Sequence, residues 1–226
     1  MPGLLNERDR VVDALVALSS DEDVAARVLK LGATQLGEIA TNVVIRSAPT
    51  MRAVDRYTGV LFDALAADSL DAPARRWLGG HVMIHSAPFG PIGALDLIPS
   101  YRLGAGISLP GIDALRRIWA GPVTQALRAA EPGFVLDLRS EAYVALGPVP
   151  EDVPHSYVRV VTEGADGAGR ALSRVGEHAT GALVRLLAHE RPRIRSRAGL
   201  LSWSDRTGAG LRSCADGVVE LVVSDG

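Results

Sequence analysis

The sequence predicts a mixed α/β fold: a single domain in which helices flank one mixed β-sheet. Three observations predict it. Apolar residues recur at helical spacing over residues 11–18 and 111–130, and short β-branched runs bounded by glycine and proline mark strands. A length of 226 residues with 47% hydrophobic composition fits one globular domain, or two small ones, with ample apolar material for a core. Residues 1–226 are read as one unit, with a helical N-terminal part over 1–46 and a sheet-containing core over 47–226.

The elements follow in order. Val11, Val12, Leu15, Val16 and Leu18 predict an amphipathic helix, and Ser19-Ser20-Asp21 supplies the capping signal for the next one. Residues 21–31, then Gly32, then residues 34–44 predict two helices across a tight turn, an outline shared by helix-turn-helix and helix-hairpin-helix elements that grip DNA. Residues 60–67 predict a further helix. His81 to Ser86 predicts a short buried strand, followed by a turn-rich stretch over residues 88–93. A helix over 111–130 carries Ile112, Leu115, Ile118 and Trp119 on one side, and strands are predicted over 133–138, 156–161 and 218–223. The glycine-rich residues 164–169 predict a turn, without the lysine and hydroxyl of a phosphate loop.

Composition excludes several chemistries. Lys30 is the single lysine among 24 basic residues, and it lies in an apolar stretch, so Schiff-base and P-loop lysine roles are disfavoured. Aromatics at 4% argue against stacking platforms for single strands. One cysteine, Cys214, allows no internal disulfide, and no long apolar run or secretory signal is seen, so a cytoplasmic protein with no membrane partner is expected. The net charge of −2 is uneven: residues 170–212 hold nine arginines against Glu177, Glu190 and Asp205. Arg191, Arg193, Arg195 and Arg197 alternate with Pro192, Ile194 and Ser196, so an extended backbone would present the four guanidinium groups on one face to a polyanion.

Two segments are richer in polar groups than packing requires. Asp96, Tyr101 and Arg102 fall together beside Gly104 and Gly106, and Asp137, Arg139 and Glu141 alternate at the end of an apolar strand, with Ser140 on the other face. Together they predict a binding cleft. His81 and His85 are four apart, which on a strand separates them by about 13 Å, so no metal site and no cofactor are expected.

At these segments the chain resembles the bacterial YaaA family, named for a peroxide-stress protein. The matching strings are Asp55-Arg56-Tyr57-Thr58-Gly59, the run from Ser86 to Gly106 with Phe89-Gly90, Leu95-Asp96 and Tyr101-Arg102-Leu103, then Trp119, and Leu138-Arg139-Ser140-Glu141-Ala142-Tyr143. The resemblance implies one α/β domain with an unusual fold, a positively charged cleft and double-stranded DNA binding helped by a helix-hairpin-helix element. It also implies protection from oxidative damage by limiting free intracellular iron. Departures reduce the cleft's charge: Gly93 stands where the family usually has arginine, and Glu177-His178-Ala179-Thr180-Gly181 retains only the glycine of a lysine-rich segment. The family's opening hydrophobic strand, with its Ser/Pro/Lys loop, has no counterpart before the first helix.

Two functions follow. In the first, a peroxide-stress protein binds double-stranded DNA, with candidate ligand and phosphate contacts at Tyr57, Ser86, Arg102, Arg139, Ser140, Arg185, Arg191, Arg193 and Arg195. In the second, the same cleft serves a biosynthetic enzyme acting on a small anionic ligand, with Asp96, Tyr101, Asp137 and Glu141 as acid/base groups and Arg102 holding the substrate.

Overall fold

The computed structural model describes residues 1–163, 173–214 and 217–224, and its class is mixed α/β. The chain divides into two compact units. The first comprises residues 1–56, 83–130 and 139–150, and the second residues 57–82, 131–138 and 151–226. The predicted turn over 164–169 lies outside the described residues.

In the first unit, α1 (Leu5–Ser19) buries Val11, Val12, Leu15 and Leu18 along the predicted stripe. α2 (Glu22–Val28) starts at the expected cap, Asp21 Oδ1 accepting from the Val24 amide at 3.0 Å. The predicted partner helix is broken into a 3-10 turn at Ala33–Glu38 and α3 (Ile39–Val43). The left-handed residue of the intervening turn is Lys30, at φ 56°, and not Gly32. Leu31 N–H reaches back to Ala26 O at 2.9 Å, a helix-ending bond that places its left-handed residue just before Leu31.

β1 (Thr50–Arg52) leads into α4 (Ala53–Arg56), and the second unit then contributes α5 (Val60–Leu65) and α6 (Ala72–His81). His81 therefore closes a helix, its ring stacked on Trp77 at 4.4 Å, and the strand predicted from His81 begins two residues later as β2 (Met83–Ser86). That strand is only partly buried. Residues 88–93, expected as turn, include β3 (Gly90–Gly93), whose antiparallel register with β2 pairs Ile84 with Ile92 and Ser86 with Gly90. β4 (Leu97–Pro99) pairs antiparallel with β1. α7 (Leu115–Ala129) opens four residues later than predicted: Gly111 takes φ 77°, and the cap residue Ala114 is still extended at ψ 139°. It buries Leu115, Ile118, Trp119 and Val123 against α1 and its neighbours.

β5 (Val135–Asp137), α8 (Glu141–Val144), β6 (His155–Glu163), α9 (Ser173–Glu190), α10 (Arg197–Thr207), β7 (Leu211–Ser213) and β8 (Val218–Ser224) complete the chain. The three strands predicted in this half meet in a four-stranded mixed sheet of order β5-β6-β8-β7, with β5, β6 and β8 parallel and β7 antiparallel. The strands of the first unit form two separate antiparallel pairs in addition to this sheet. Leu183, Leu187, Leu200, Trp203, Val219 and Leu221 join sheet and helices in the second core.

α9 packs on α5 through a very close approach. A Cβ on Gly181 would lie 2.0 Å from Leu61 O, so only glycine fits. On the sheet, Glu220 sits between Arg159 and Arg212, its cross-strand partners on both sides, accepting from them at 2.6 and 2.8 Å. These two guanidinium groups hold the Glu220 carboxyl below its ordinary value.

Candidate functional site

The hairpin between β2 and β3, residues 86–91, is held by several side chains of the first unit. Ser86 Oγ donates to Tyr101 Oη at 2.9 Å and accepts from the Phe89 amide at 3.3 Å. Trp119 Nε1 donates to Ala87 O at 2.9 Å, and Arg8 donates through Nε to Phe89 O at 2.7 Å and through Nη2 to Pro91 O at 3.3 Å. Phe89 meets Tyr101 edge-on at 5.4 Å. Gly90 has φ 63°, and a Cβ there would stand 2.9 Å from the Trp119 ring. Burial pushes the Arg8 guanidinium below its ordinary value, against the pull of Asp96 and Glu7.

Beside this loop, Arg139 Nη1 lies 2.9 Å from His85 Nδ1 and donates to Gly147 O at 2.9 Å. A guanidinium only donates, so Nδ1 accepts and the ring proton sits on Nε2 while this bond stands. The His85 and Tyr143 rings are 5.9 Å apart. A Cβ on Gly147 would lie 2.2 Å from Val123, so α7 presses this backbone into place and thereby fixes the carbonyl that Arg139 uses.

Arg102 is held differently. Asn42 is completely buried, donating from Nδ2 to Arg102 O at 3.0 Å and accepting from Arg102 N at 2.7 Å, while Arg102 Nε lies 3.3 Å from Glu38 Oε2. Part of its charge is thus met by a carboxylate.

The remaining predicted site residues separate by role. Asp96 Oδ2 accepts from the Gly93 amide at 2.8 Å and closes the turn between β3 and β4. Asp137, buried, ends β5, while Glu141 opens α8 with Ser140 as the preceding cap residue. The expected alternation of Asp137, Arg139 and Glu141 on one strand face therefore fails: the strand stops at Asp137, which belongs to the second unit, whereas the other two belong to the first. Tyr57 stacks on Phe62 at 5.1 Å. Arg185 Nη1 donates to Leu65 O, Ala66 O and Ser69 Oγ at 2.9 to 3.0 Å, where the positive charge meets the carbonyl end of α5.

The arginine arm departs from a regular extended run at both ends, since Arg191 takes φ 50° and Arg197 is helical. Residues 191–195 are non-helical, with Arg191, Arg193 and Arg195 exposed and Pro192 and Ile194 half-buried. None of the three guanidinium groups has a hydrogen-bond or ion-pair partner among the described residues. Arg197 departs from the set. It begins α10 behind the Ser196 cap, and its Nη2 donates to Ser213 Oγ and Val218 O at 2.9 Å and also to Cys214 O, so it ties α10 to the sheet.

Sequence reasoning missed His85, Glu38 and Asn42. The local signal at His85 is only its spacing from His81, and the pairing of Asn42 with the Arg102 backbone spans sixty positions without a local signal.

A family model described as peroxide stress protein YaaA matches residues 1–206. The chain belongs to the YaaA family. Among its relatives is a UPF0246 protein of Corynebacterium efficiens, 41% identical over 202 residues that cover 88% of this chain and 78% of the relative. A UPF0246 protein of Streptomyces coelicolor is 43% identical over 147 residues, covering 64% of this chain and 56% of the relative. One from Corynebacterium glutamicum strain R is 34% identical over 211 residues, covering 92% and 82%. Among the described residues of this YaaA-family chain, no helix is long and apolar enough to cross a membrane.

Proposed function

We propose that this YaaA-family chain acts in the cytoplasm under peroxide stress by binding double-stranded DNA, with Arg191, Arg193 and Arg195 as its principal phosphate contacts. One observation carries the reading. Three exposed guanidinium groups recur at every second residue with no partner among the described residues, while the residues between them are anchored. Guanidinium forks match phosphate oxygens, and each contact releases about one counterion from duplex DNA.

Other candidate cations are less available. Arg185 is occupied by the end of α5 and Arg102 is paired with Glu38, so they serve the scaffold first. The helix pair over residues 22–43 carries Glu22, Asp23 and Glu38 against Arg27 and Lys30, so it offers a phosphate backbone no net positive charge and a helix-hairpin-helix grip contributes little to affinity. Tyr57, Ser86 and Ser140 stand as neutral positions around the basic groups. The test is fluorescence anisotropy of a labelled mixed-sequence duplex at about 50 mM salt, where phosphate contacts bind tightly. Saturable binding that falls when all three arm arginines become glutamine supports the reading, and an absence of binding removes it.

The second reading, a biosynthetic enzyme on the same scaffold, is favoured by the contact between Arg139 and His85. It holds a neutral imidazole beside a guanidinium and a phenol, a set able to orient an anionic substrate and move a proton. Tyr101 joins through Ser86 on the neighbouring strand position, whereas Asp96 and Glu141 lie at a turn and a helix start. Peroxide survival of a strain whose only copy carries His85→Gln and Arg139→Gln separates the readings: full survival with intact DNA binding assigns the cluster to something other than stress protection.

A further inference from the structure

A cavity of about 380 Å³ in the second unit lies between residues 190–194 and α10, and of its lining only Arg193 is shared with the duplex-binding arm. Its α10 wall is one helical face, Gly199, Trp203, Arg206 and Thr207. The opposite wall brings Arg193, with Pro192 and Ile194, and Glu190. Two arginines thus line the pocket together with a single acidic residue. Arg206 uses Nη1 on Ser202 O and Oγ at 3.0 and 2.8 Å, which steadies the side chain and leaves its other N–H groups unused among the described residues. Arg193 has no partner there.

We propose that this pocket binds a phosphate monoester, the phosphate held by Arg193 and Arg206 and its organic substituent lying along Pro192, Ile194 and Trp203. A doubly charged phosphate suits two forked donors better than a carboxylate, which one fork satisfies. The volume falls in the range of small-ligand sites, roughly 300–1,000 Å³. Gly199 leaves the helix wall flat where a side chain would fill the space. Trp203 is nearly closed off, and its buried indole Nε1–H has no acceptor among the described residues. The guanidinium groups therefore carry the anion, and the indole reports on it. A nucleoside monophosphate and the 5′-phosphate end of a DNA strand share this chemistry.

The test follows the Trp203 indole N–H resonance by NMR, assigned with Trp203→Phe, while AMP or adenosine is titrated into the full chain. The expected result is a saturable shift with AMP, none with adenosine, and an affinity for AMP at least about tenfold lower in both Arg193→Gln and Arg206→Gln. Arg116→Gln, on α7, leaves the affinity unchanged. No saturable shift up to about 10 mM AMP, equal binding of adenosine, or wild-type affinity in Arg206→Gln overturns the proposal. Competition by a 5′-phosphorylated but not a 5′-hydroxyl oligonucleotide assigns the site to strand ends, and competition by neither assigns it to free nucleotides. AMP binding without duplex binding leaves the pocket standing and removes the DNA reading, and the converse removes only the pocket.

Discussion

Alanine at Gly181 sets two effects of opposite sign against each other. Helix propensity alone favours alanine in the interior of α9 by about 1 kcal/mol. The added Cβ, however, would lie 2.0 Å from Leu61 O and 2.9 Å from Ala64 Cβ. A backbone oxygen cannot swing away as a side chain can, so α5 and α9 must part by roughly 1 Å, disrupting close packing along their length. Overpacking of this kind costs about 3 kcal/mol, leaving a net loss of about 2 kcal/mol. In a chain of this size that lowers the melting temperature by about 4–8 °C. Gly176, in the same helix, is the internal control: its Cβ would meet Val160 at an ordinary 3.5 Å. Gly176→Ala is expected to be neutral or stabilising by up to about 1 kcal/mol. Urea denaturation followed by far-UV circular dichroism measures both. A Gly181→Ala protein as stable as wild type would refute the reasoning.

Further expected outcomes concern the sheet and Asn42. Glu220 accepts from Arg159 and Arg212, whose side chains are half exposed, so Glu220→Gln costs about 1 kcal/mol at neutral pH. Because folding lowers this carboxyl's pKa, its contribution is present above the ordinary carboxylate value and is lost as pH falls through the lowered one. The stability gap between wild type and Glu220→Gln, read by denaturant titration, should hold from pH 7 to about pH 5 and close in stronger acid. Asn42→Leu breaks both amide contacts to Arg102 and leaves its part-buried carbonyl and N–H without that partner, at a cost of about 1–3 kcal/mol by thermal denaturation. Unchanged stability there would show that the Arg102 backbone finds other partners.

The helices were legible where one apolar stripe met one cap, as at α1 and at Asp21 before α2. β6 and β8 were legible because their β-branched runs are central strands of the mixed sheet, with Arg159 and Glu220 as the polar pair between them. β3 was not, since Gly90-Pro91-Ile92-Gly93 has turn composition and is fixed as a strand by Trp119, Arg8 and pairing with β2. His81 has β-forming neighbours that suggest a strand, while the helix that carries it is set upstream by the Asp71 cap, Oδ1 accepting from Ala74 N at 2.8 Å. At the candidate site, the alternation of the arginine arm could be read locally. The contact of Arg139 with His85, fifty-four positions away, could not, nor could the retreat of Arg197 and Arg185 into structural roles. Gly181, retained where the family's lysines are not, is explained by packing against Leu61 and not by ligand chemistry.

The most direct test of duplex binding by the arm is the salt dependence of affinity for wild type and for the Arg191→Gln/Arg193→Gln/Arg195→Gln protein. With each phosphate contact contributing about −0.9 to the slope of log K against log salt concentration, the triple variant should be shallower by about 3. Equal slopes, with duplex binding otherwise intact, would place the phosphate contacts elsewhere on the molecule and contradict the assignment of the arm.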